Sequence, residues 1–318
     1  MADAGVPALR WFLQDAARRR AAFRYWGYDT AMGLLNTGAH HGLRALPTDA
    51  CSRIGASLGA FSGRYRYREV DARAREAWKR LRPEASDQAS VDAAMERAWR
   101  QVGRTMAEYS VIDRFLAEGR IVVEGVEHLD AARAAGKPRL IMGVHLGNWE
   151  LLGATVCGLG HPGTGIYQPP ENRFEHRIAV KVRHRYGAKL VPPGRPGTRA
   201  AVRNLAAKGL LMVYVDESVE GRVFAPSFGR PHRVEGNLAN VARLAEMTGA
   251  AVIPAYAVRL GDAARFHVRF LPPVDLTSTG AREADLAANV ARLDALIEPI
   301  VRAHLDQWYY LFDFSFDV

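Results

Sequence analysis

The sequence predicts an α/β fold, with a largely parallel central sheet flanked by helices and an N-terminal helical extension. After Gly119, short apolar segments of strand length alternate with segments of helical periodicity, and residues 8–118 are helical in pattern almost throughout. Strands that alternate with helices pair in parallel and are covered on both faces. With 318 residues, 48% of them hydrophobic, the chain is long enough to bury such a core.

The N-terminal region, residues 1–118, is predicted to be helical and to associate with a membrane. Residues 8–26 mix apolar and aromatic side chains with a run of arginines, a composition typical of a helix at a membrane interface. Packing of the same residues against the main domain explains the pattern equally well. Residues 31–46 are apolar but interrupted by glycines, residues 64–82 carry eight basic side chains, and residues 91–116 have amphipathic helical spacing.

The sequence also indicates how this region would meet a membrane. No apolar stretch reaches the length of a spanning helix, which needs about 18 or more such residues. The pattern of a secretory signal is absent too, because only a short apolar run separates Arg10 from the next charged residues. We therefore expect peripheral contact from the cytoplasmic side.

The second region, residues 119–318, is predicted to be the α/β domain. Residues 266–270 alternate apolar with polar side chains, as a half-exposed strand does. Ligands of parallel sheets bind at the carboxyl ends of the strands, so residues that follow a strand are candidates for a site. The predicted strands cover residues 139–144, 165–167, 189–191, 210–215, 251–260 and 266–270. The predicted helices cover residues 151–159, 174–186, 198–208, 236–247 and 283–305.

The net charge of the chain limits the classes of partner that it is expected to bind. The net charge is +9, and 38 of the 43 basic residues are arginines. A basic surface predicts nucleic acid, anionic lipid or an acidic carrier protein as partner. Because the chain shows no helix-turn-helix spacing and no single-strand-binding motif, nucleic acid is not expected. Residues 173–203 contain nine basic side chains and one acid, which suits lipid phosphates or an acidic carrier; a solvated helix face is the alternative.

The run from Val144 to Glu150, with the sequence VHLGNWE, is the candidate catalytic centre. His145 follows directly on a predicted buried strand, Gly147 allows a tight turn, and Asn148 is a good N-cap for the next helix. Imidazole is suited to removing a proton from a hydroxyl, and a carboxylate on its other ring nitrogen would fix the tautomer. Glu150 can reach the ring if it lies in the first turn of the helix, so we expect the two to act as base and orienter.

Two other roles are conceivable for a histidine at this position. A histidine at a strand end is also compatible with a structural role. Metal ligation is not expected, because no second ligand stands nearby at metal-site spacing. Cys51 and Cys157 are too few for a disulfide framework and also lack metal-ligand spacing.

The motif from His145 to Glu150 resembles the H-x4-D/E motif of glycerolipid acyltransferases, and its surroundings are similar to the bacterial lipid A late acyltransferases (lauroyl and myristoyl transferases). Further blocks resemble that family in the same order, and the likeness extends over roughly residues 10–310. These blocks are Tyr167–Asn172, Arg183 shortly before Gly187, Asp216 in Val215-Asp216-Glu217, Ala225–Pro231 and Ala250–Pro254.

The resemblance implies transfer of a fatty acyl group from acyl-carrier protein or acyl-coenzyme A to a hydroxyl of a membrane lipid, most directly a lipid A precursor. It implies the cytoplasmic face of the bacterial inner membrane, acyl-carrier protein and anionic lipid as partners, and no metal or redox cofactor. His145 would be the general base, Glu150 its orienter, and Arg183 would steady the developing oxyanion or a substrate phosphate. The other candidate substrate-site residues are Asn148, Tyr167, Asn172 and Asp216, the last two expected to position loops.

Departures from the family pattern leave the acceptor open. Gln168 stands where an arginine is usual, and Ser227 where an aromatic residue is usual. The residues after Trp308 are aromatic and acidic instead of basic. Another membrane lipid is therefore an alternative acceptor. Two other classes also remain: a non-catalytic basic protein that binds a membrane surface, and a hydrolase that uses the same pair on water.

Overall fold

The computed structural model describes residues 6–219 and 221–316. Over these residues the chain forms eleven α-helices, nine strands and several short 3-10 or π turns. The helices are α1 (Ala16–Ala22), α2 (Asp29–Arg44), α3 (Thr48–Tyr65), α4 (Arg68–Leu81), α5 (Gln88–Glu108), α6 (Val126–Ala134), α7 (Glu150–Gly158), α8 (Arg173–Arg185), α9 (Gly194–Ala206), α10 (Gly236–Thr248) and α11 (Arg282–Ala303). The strands are β1 (Ile121–Glu124), β2 (Arg139–Gly143), β3 (Gly163–Ile166), β4 (Lys189–Val191), β5 (Leu210–Tyr214), β6 (Ser218–Val219), β7 (Arg222–Val223), β8 (Ala251–Arg259) and β9 (Phe266–Phe270).

Seven of the strands form one sheet in the order β1-β9-β8-β2-β5-β3-β4. Five strands run parallel to one another, and they are β8, β2, β5, β3 and β4. Strand β9 is antiparallel to β8, and β1 pairs in parallel with β9 at the outer edge. The predicted α/β fold with a largely parallel sheet is confirmed. Strand β1, helix α6 and the β6–β7 hairpin were not predicted from the sequence; β6 and β7 have two residues each, too few for a periodic pattern.

Alternate residues of the central strands enter two apolar clusters, one on each face of the sheet. In β2, Leu140 and Met142 belong to one cluster and Ile141 to the other. Helices α4, α5, α9, α10 and α11 complete the first cluster, together with C-terminal aromatic residues. Residues of α3, α6, α7 and the end of α5 complete the second. The N-terminal helices therefore form part of both cores.

This shared packing bears on the predicted boundary at residue 118. Helical structure in the N-terminal region is confirmed for the residues described, from Leu9 onward. The boundary falls between the 3-10 turn at Tyr109–Arg114 and β1, yet the apolar packing is continuous across it. The division into regions 1–118 and 119–318 stays a prediction.

Helices α3 and α5 lie in close contact because glycines face each other across their interface. A Cβ built on Gly59 would stand 2.1 Å from the carbonyl oxygen of Trp99, and one on Gly103 would stand 2.1 Å from that of Gly55. The two helices therefore pack backbone against backbone. This contact holds the end of α5 against the loop that follows β2, where the Thr105 hydroxyl donates to the carbonyl of Gly147 at 3.0 Å.

The first two helices and the turns beside them expose large apolar side chains. Leu13 is 92% exposed, and Leu9, Phe23, Leu34 and Leu35 are 58–68% exposed. These five residues are called the N-terminal apolar surface below. No helix in the described part of the chain is long and apolar enough to cross a membrane.

Replacing Gly59 with alanine should lower the free energy of unfolding by about 2 kcal/mol, because the added methyl group meets the backbone of α5. The matched control is Gly38→Ala in α2, where a Cβ meets no atom within 4 Å. That change should leave stability unchanged or raise it by about 0.5–1 kcal/mol, since alanine favours helix over glycine. Urea unfolding of both variants measures the difference, and equal effects would contradict the packing described.

Candidate active site

Two strand ends meet at the carboxyl edge of the sheet. Strands β2 and β5 are parallel neighbours, and their register pairs Gly143 with Tyr214. His145 and Asp216 each follow two residues later, so the register brings them side by side. The Nδ1 atom of His145 lies 2.8 Å from Oδ1 of Asp216, and the backbone N–H of His145 donates to Oδ2 at 2.8 Å.

The surroundings of Asp216 determine the tautomer of His145. Asp216 is fully buried, and Oδ2 also accepts the indole N–H of Trp308 at 2.9 Å. A carboxylate can only accept hydrogen bonds, so Nδ1 of the imidazole carries the proton. Nε2 is then the basic nitrogen of a side chain that is 16% exposed and lines a cavity. This is the arrangement of a general base held by a carboxylate.

A left-handed glycine turns the chain between His145 and α7. Gly147 has φ 53°, and a Cβ at this position would stand 2.6 Å from the carbonyl oxygen of Ala257. The Gly147 N–H donates to the carbonyl of Gln307 at 3.0 Å. The predicted tight turn at Gly147 is confirmed, and neighbouring segments hold it from both sides.

Asn148 points away from the cavity, into the protein. It is 0% exposed, and its Nδ2 donates to Oε2 of Glu108 at 3.0 Å. The same oxygen accepts from Nη2 of Arg259 at 2.8 Å. The predicted substrate contact of Asn148 is therefore wrong, as is its predicted N-cap role, because α7 is preceded by Trp149. Asn148 instead anchors the loop to a buried ion pair.

Glu150 lies in the first turn of α7, as predicted, but its carboxylate binds Arg183 and not His145. It accepts from Nε of Arg183 at 3.2 Å and from Nη2, and it accepts the hydroxyl of Tyr186 at 3.3 Å. The expected contact between Glu150 and the ring of His145 is not formed, because Nδ1 of the ring binds Asp216 instead. Burial by itself would lower the pKa of the Arg183 guanidinium. The negative charge and the hydrogen bonds of Glu150 have a larger effect in the opposite direction, so the pKa is raised.

His145, Glu150 and Arg183 open onto one cavity of about 630 Å³. Tyr167 lines it as well, and its ring lies 4.7 Å from the guanidinium carbon of Arg183. The cavity follows β5 from Tyr214 at the catalytic edge to the start of the strand. Its inner wall is mostly apolar and includes Val156, Cys157, Ile166, Leu190, Leu210 and Met212.

Glycine keeps the middle of this cavity open. Gly165 is paired with Met212 across β3 and β5, and both line the cavity. A Cβ built on Gly165 meets no atom within 4 Å. Any larger side chain at this position would therefore project into free space beside Met212.

Aromatic rings surround the imidazole of His145. The ring centroids of Tyr214, Tyr310 and Trp149 lie 4.3, 5.1 and 5.3 Å from it. Tyr310 comes from the C-terminal turn after α11. Tyr310, from the aromatic stretch after Trp308, therefore lines the cavity beside His145, a placement that sequence reasoning missed.

Asn172 positions a helix and is not among the side chains that line the cavity. Its Oδ1 accepts the N–H of Phe174 and caps α8, and its Nδ2 donates to the carbonyl of Asp29 at 2.8 Å. These bonds are consistent with the expected positioning role of Asn172, and its predicted contact with substrate stays a prediction. This residue ties the start of α2 to α8, the helix that carries Arg183.

Glu217 is a third carboxylate at the site, and it was not predicted from the sequence. It lines the same cavity and accepts the N–H of Asn237, at the start of α10, at 2.6 Å. Burial raises the pKa of Glu217 to about 7, so near neutral pH this group is partly protonated. The only signal in the sequence was its position directly after Asp216 at a strand end.

The site thus combines an imidazole, three carboxylates, a guanidinium and an apolar cavity. A neutral imidazole can take the proton of a hydroxyl, and the buried carboxylate stabilises the imidazolium that forms. A guanidinium can bind a carbonyl oxygen or a phosphate. Within residues 6–219 and 221–316, no group of three histidine, cysteine or acidic side chains could hold a metal ion.

Fold and site suit an acyl-transfer enzyme: at the carboxyl edge of an α/β sheet, a histidine bound to a buried carboxylate lies beside a cavity that can hold a hydrocarbon chain. The model of the bacterial lipid A biosynthesis acyltransferase family matches residues 17–313. The chain therefore belongs to that family and is an acyltransferase, which confirms the resemblance seen in the sequence.

Three individual proteins illustrate what the chain is similar to. The lipid A biosynthesis lauroyltransferase of Escherichia coli K12 is 26% identical over 260 residues, 79% of each chain. A lipid A biosynthesis acyltransferase of Haemophilus influenzae Rd is 28% identical over 179 residues, 55% of this chain and 54% of the relative. A phosphatidylinositol mannoside acyltransferase of Mycobacterium tuberculosis is 27% identical over 194 residues, 60% of this chain and 58% of the relative. The chain thus spans little more than half the length of the latter two.

Proposed function

We propose that the chain transfers a fatty acyl group from a thioester of acyl-carrier protein or coenzyme A to a hydroxyl of a lipid A precursor. The observation that carries the proposal is the His145–Asp216 pair, which opens on a cavity with an apolar inner wall. Family membership supports the reaction class. This assignment keeps His145 as the base and transfers the orienting role from Glu150 to Asp216.

The proposed reaction follows from the free nitrogen of His145. Nε2 takes the proton of the acceptor hydroxyl while the hydroxyl oxygen attacks the carbonyl carbon of the thioester. The tetrahedral intermediate then collapses, the C–S bond breaks, and the departing thiolate takes the proton back from the imidazolium. Asp216 keeps Nδ1 protonated and stabilises the positive ring, so no other base is needed.

Arg183 is the proposed electrophilic group. Glu150 binds Nε and Nη2 of the guanidinium, which leaves Nη1 for a substrate oxygen. Glu150 and Tyr186 hold the guanidinium at the cavity wall, so it can stabilise the oxyanion of the intermediate or bind an acceptor phosphate without reorganising. Glu150 therefore acts on the reaction through Arg183.

The apolar end of the cavity is the proposed site for the acyl chain. Leu210, Met212 and Tyr214 are alternate residues of β5 and line it from end to end. Four residues of strand span about 13 Å, enough for about ten carbons of an extended acyl chain. This depth supports a donor of medium chain length, and the name of the E. coli relative, a lauroyltransferase, agrees with it.

Charge supports the proposed partners. Two of the relatives are named for lipid A and one for a phosphatidylinositol mannoside. The exposed basic side chains of α8, α9 and the segment between them suit the phosphates of an anionic acceptor and also the acidic surface of acyl-carrier protein. They are Arg177, Lys181, Arg185, Lys189, Arg195, Arg199 and Arg203. The C-terminal residues that depart from the family pattern lie beside the site, where they would contact the acceptor. Another anionic membrane lipid is therefore the alternative acceptor.

The N-terminal apolar surface is the proposed membrane contact. Leu9, Leu13, Phe23, Leu34 and Leu35 are exposed, and a run of arginines at positions 18–20 lies between them in the chain. Apolar side chains that enter the interface beside basic ones are typical of peripheral binding to anionic lipid. We place this contact at the cytoplasmic face of the inner membrane.

His145→Ala should abolish acyl transfer, and Asp216→Asn should lower kcat by about a thousandfold or more, because the ring loses its tautomer and orientation. Glu150→Gln, which leaves His145 and Asp216 in place, should cost less and should lower kcat more than it raises KM. Single-turnover transfer to a lipid A precursor measures all three. Near-normal turnover of Asp216→Asn with complete loss in Glu150→Gln would reverse the two assignments. Thiol release without an acylated lipid would indicate a hydrolase.

Gly165→Val should shift donor preference toward shorter acyl chains, because the new side chain fills the cavity beside Met212. We expect turnover with a twelve-carbon donor to fall at least about tenfold relative to an eight-carbon donor, by the cost of displacing buried methylene groups. Competition between the two donors in one reaction measures the ratio, so each donor controls for the other. An equal loss with both donors would argue against this placement of the chain.

The double substitution Leu13→Ser and Phe23→Ser should weaken binding to vesicles of anionic phospholipid by about tenfold or more, because two apolar side chains no longer enter the bilayer. Met247→Ser is the matched control, since Met247 is 67% exposed on α10, outside the N-terminal apolar surface. Co-sedimentation at low and high salt separates the apolar contribution to vesicle binding from the electrostatic one. High salt should weaken only the part of the binding that the arginines provide. The same loss in the Met247 variant would refute the assigned surface.

A further inference from the structure

We propose that Trp308 is a positioning residue of the acyl-transfer site, whose indole N–H holds the carboxylate of Asp216 and, through it, the ring of His145. The inference rests on the proposed role of His145 as base. The inference gives the C-terminal turn a part in positioning the proposed base. Neither the histidine motif nor the family match indicates such a part.

The first support is the hydrogen bonding of Asp216. Oδ1 serves the ring of His145, whereas Oδ2 receives the backbone N–H of His145 and the indole of Trp308 at 2.8 and 2.9 Å. Trp308 is 1% exposed and Asp216 is fully buried, so water cannot replace the indole. A buried carboxylate that loses a donor is destabilised and less firmly oriented.

The second support is that Trp308 is itself held rigidly against the catalytic loop. It forms a backbone bridge to Leu146, and the N–H of the next residue, Tyr309, donates to the carbonyl of His145 at 3.0 Å. Its ring packs against Phe228 and Phe314 at centroid distances of 5.6 and 5.7 Å. The indole N–H is therefore aimed at Asp216 by packing from the opposite side, as a positioning role requires.

The alternative is that Trp308 only fills the core, and the two roles differ in their pH dependence. A carboxylate with one donor fewer attracts the proton of the imidazolium more strongly. The acid limb of the kcat/KM profile should then move to higher pH. The other titratable groups that face the pair are Glu217, Tyr214, Tyr309 and Tyr310, and Trp308→Phe alters none of these side chains.

The test compares Trp308→Phe with Trp78→Phe in the full-length protein, with vesicles containing a lipid A precursor and an acyl-carrier-protein donor. Trp78 is 5% exposed in the same apolar cluster, and its indole donates to the carbonyl of Ala85 at 3.0 Å, so its loss reports only the cost of a buried indole bond. For Trp308→Phe we expect kcat to fall about tenfold or more with KM nearly unchanged, as for a lost hydrogen bond to a charged group. We also expect an acid limb about half a pH unit higher or more. The Trp78 variant should keep the wild-type limb.

An unmoved acid limb in folded Trp308→Phe overturns the inference, whatever the loss of rate. If that variant does not fold, benzothienylalanine at position 308 keeps the shape of the indole without its N–H, and the same two outcomes apply. His145→Ala is measured in parallel. Residual turnover there would refute the proposed base itself, whereas an inactive His145→Ala with an unmoved limb in the Trp308 variant would refute only the positioning role.

Discussion

The burial of the Asp216 carboxylate is the constraint on which the rest of the site depends. Because water cannot reach it, the carboxylate must take its hydrogen-bond donors from the protein. His145 supplies two of them from 71 residues away in the chain, and Trp308 supplies a third from 92 residues away. One buried charge thus brings together the ends of β2 and β5 and the C-terminal turn, and the cavity opens where they meet.

Asp216 and Glu150 bind different partners because they differ in surroundings. Asp216 has donors on both oxygens and binds Nδ1 of the imidazole, so it is the carboxylate in contact with the proposed base. Glu150 belongs to the recognisable motif, but it is neutralised by Arg183 and faces the cavity wall. The motif spacing of five residues therefore marks both the proposed base and the carboxylate that binds Arg183, and the carboxylate that binds the imidazole follows another strand.

Helix α8 connects the proposed membrane contact with the catalytic centre. At its start, Asn172 binds the carbonyl of Asp29, and the ring of Phe174 leaves no room for a side chain at Gly33 of α2. Toward its end it carries Arg183, paired with Glu150. Helix α2, which carries Leu34 and Leu35 of the N-terminal apolar surface, is thus packed directly against α8, which carries Arg183 in the wall of the cavity. An acceptor drawn from the membrane would enter beside a wall that the N-terminal helices help to position.

The sequence by itself determined the α/β fold, the strand that ends before His145, and the turn at Gly147, because periodicity and turn chemistry are local properties. Only the tertiary structure decided which carboxylate reaches the imidazole. Asp216 lies beside His145 because β5 pairs with β2 in one register, and pairing between distant strands is not encoded in spacing along the chain. For the same reason Asn148 was expected at the substrate although it faces a buried ion pair, and Trp308 showed no sign of its contact with Asp216.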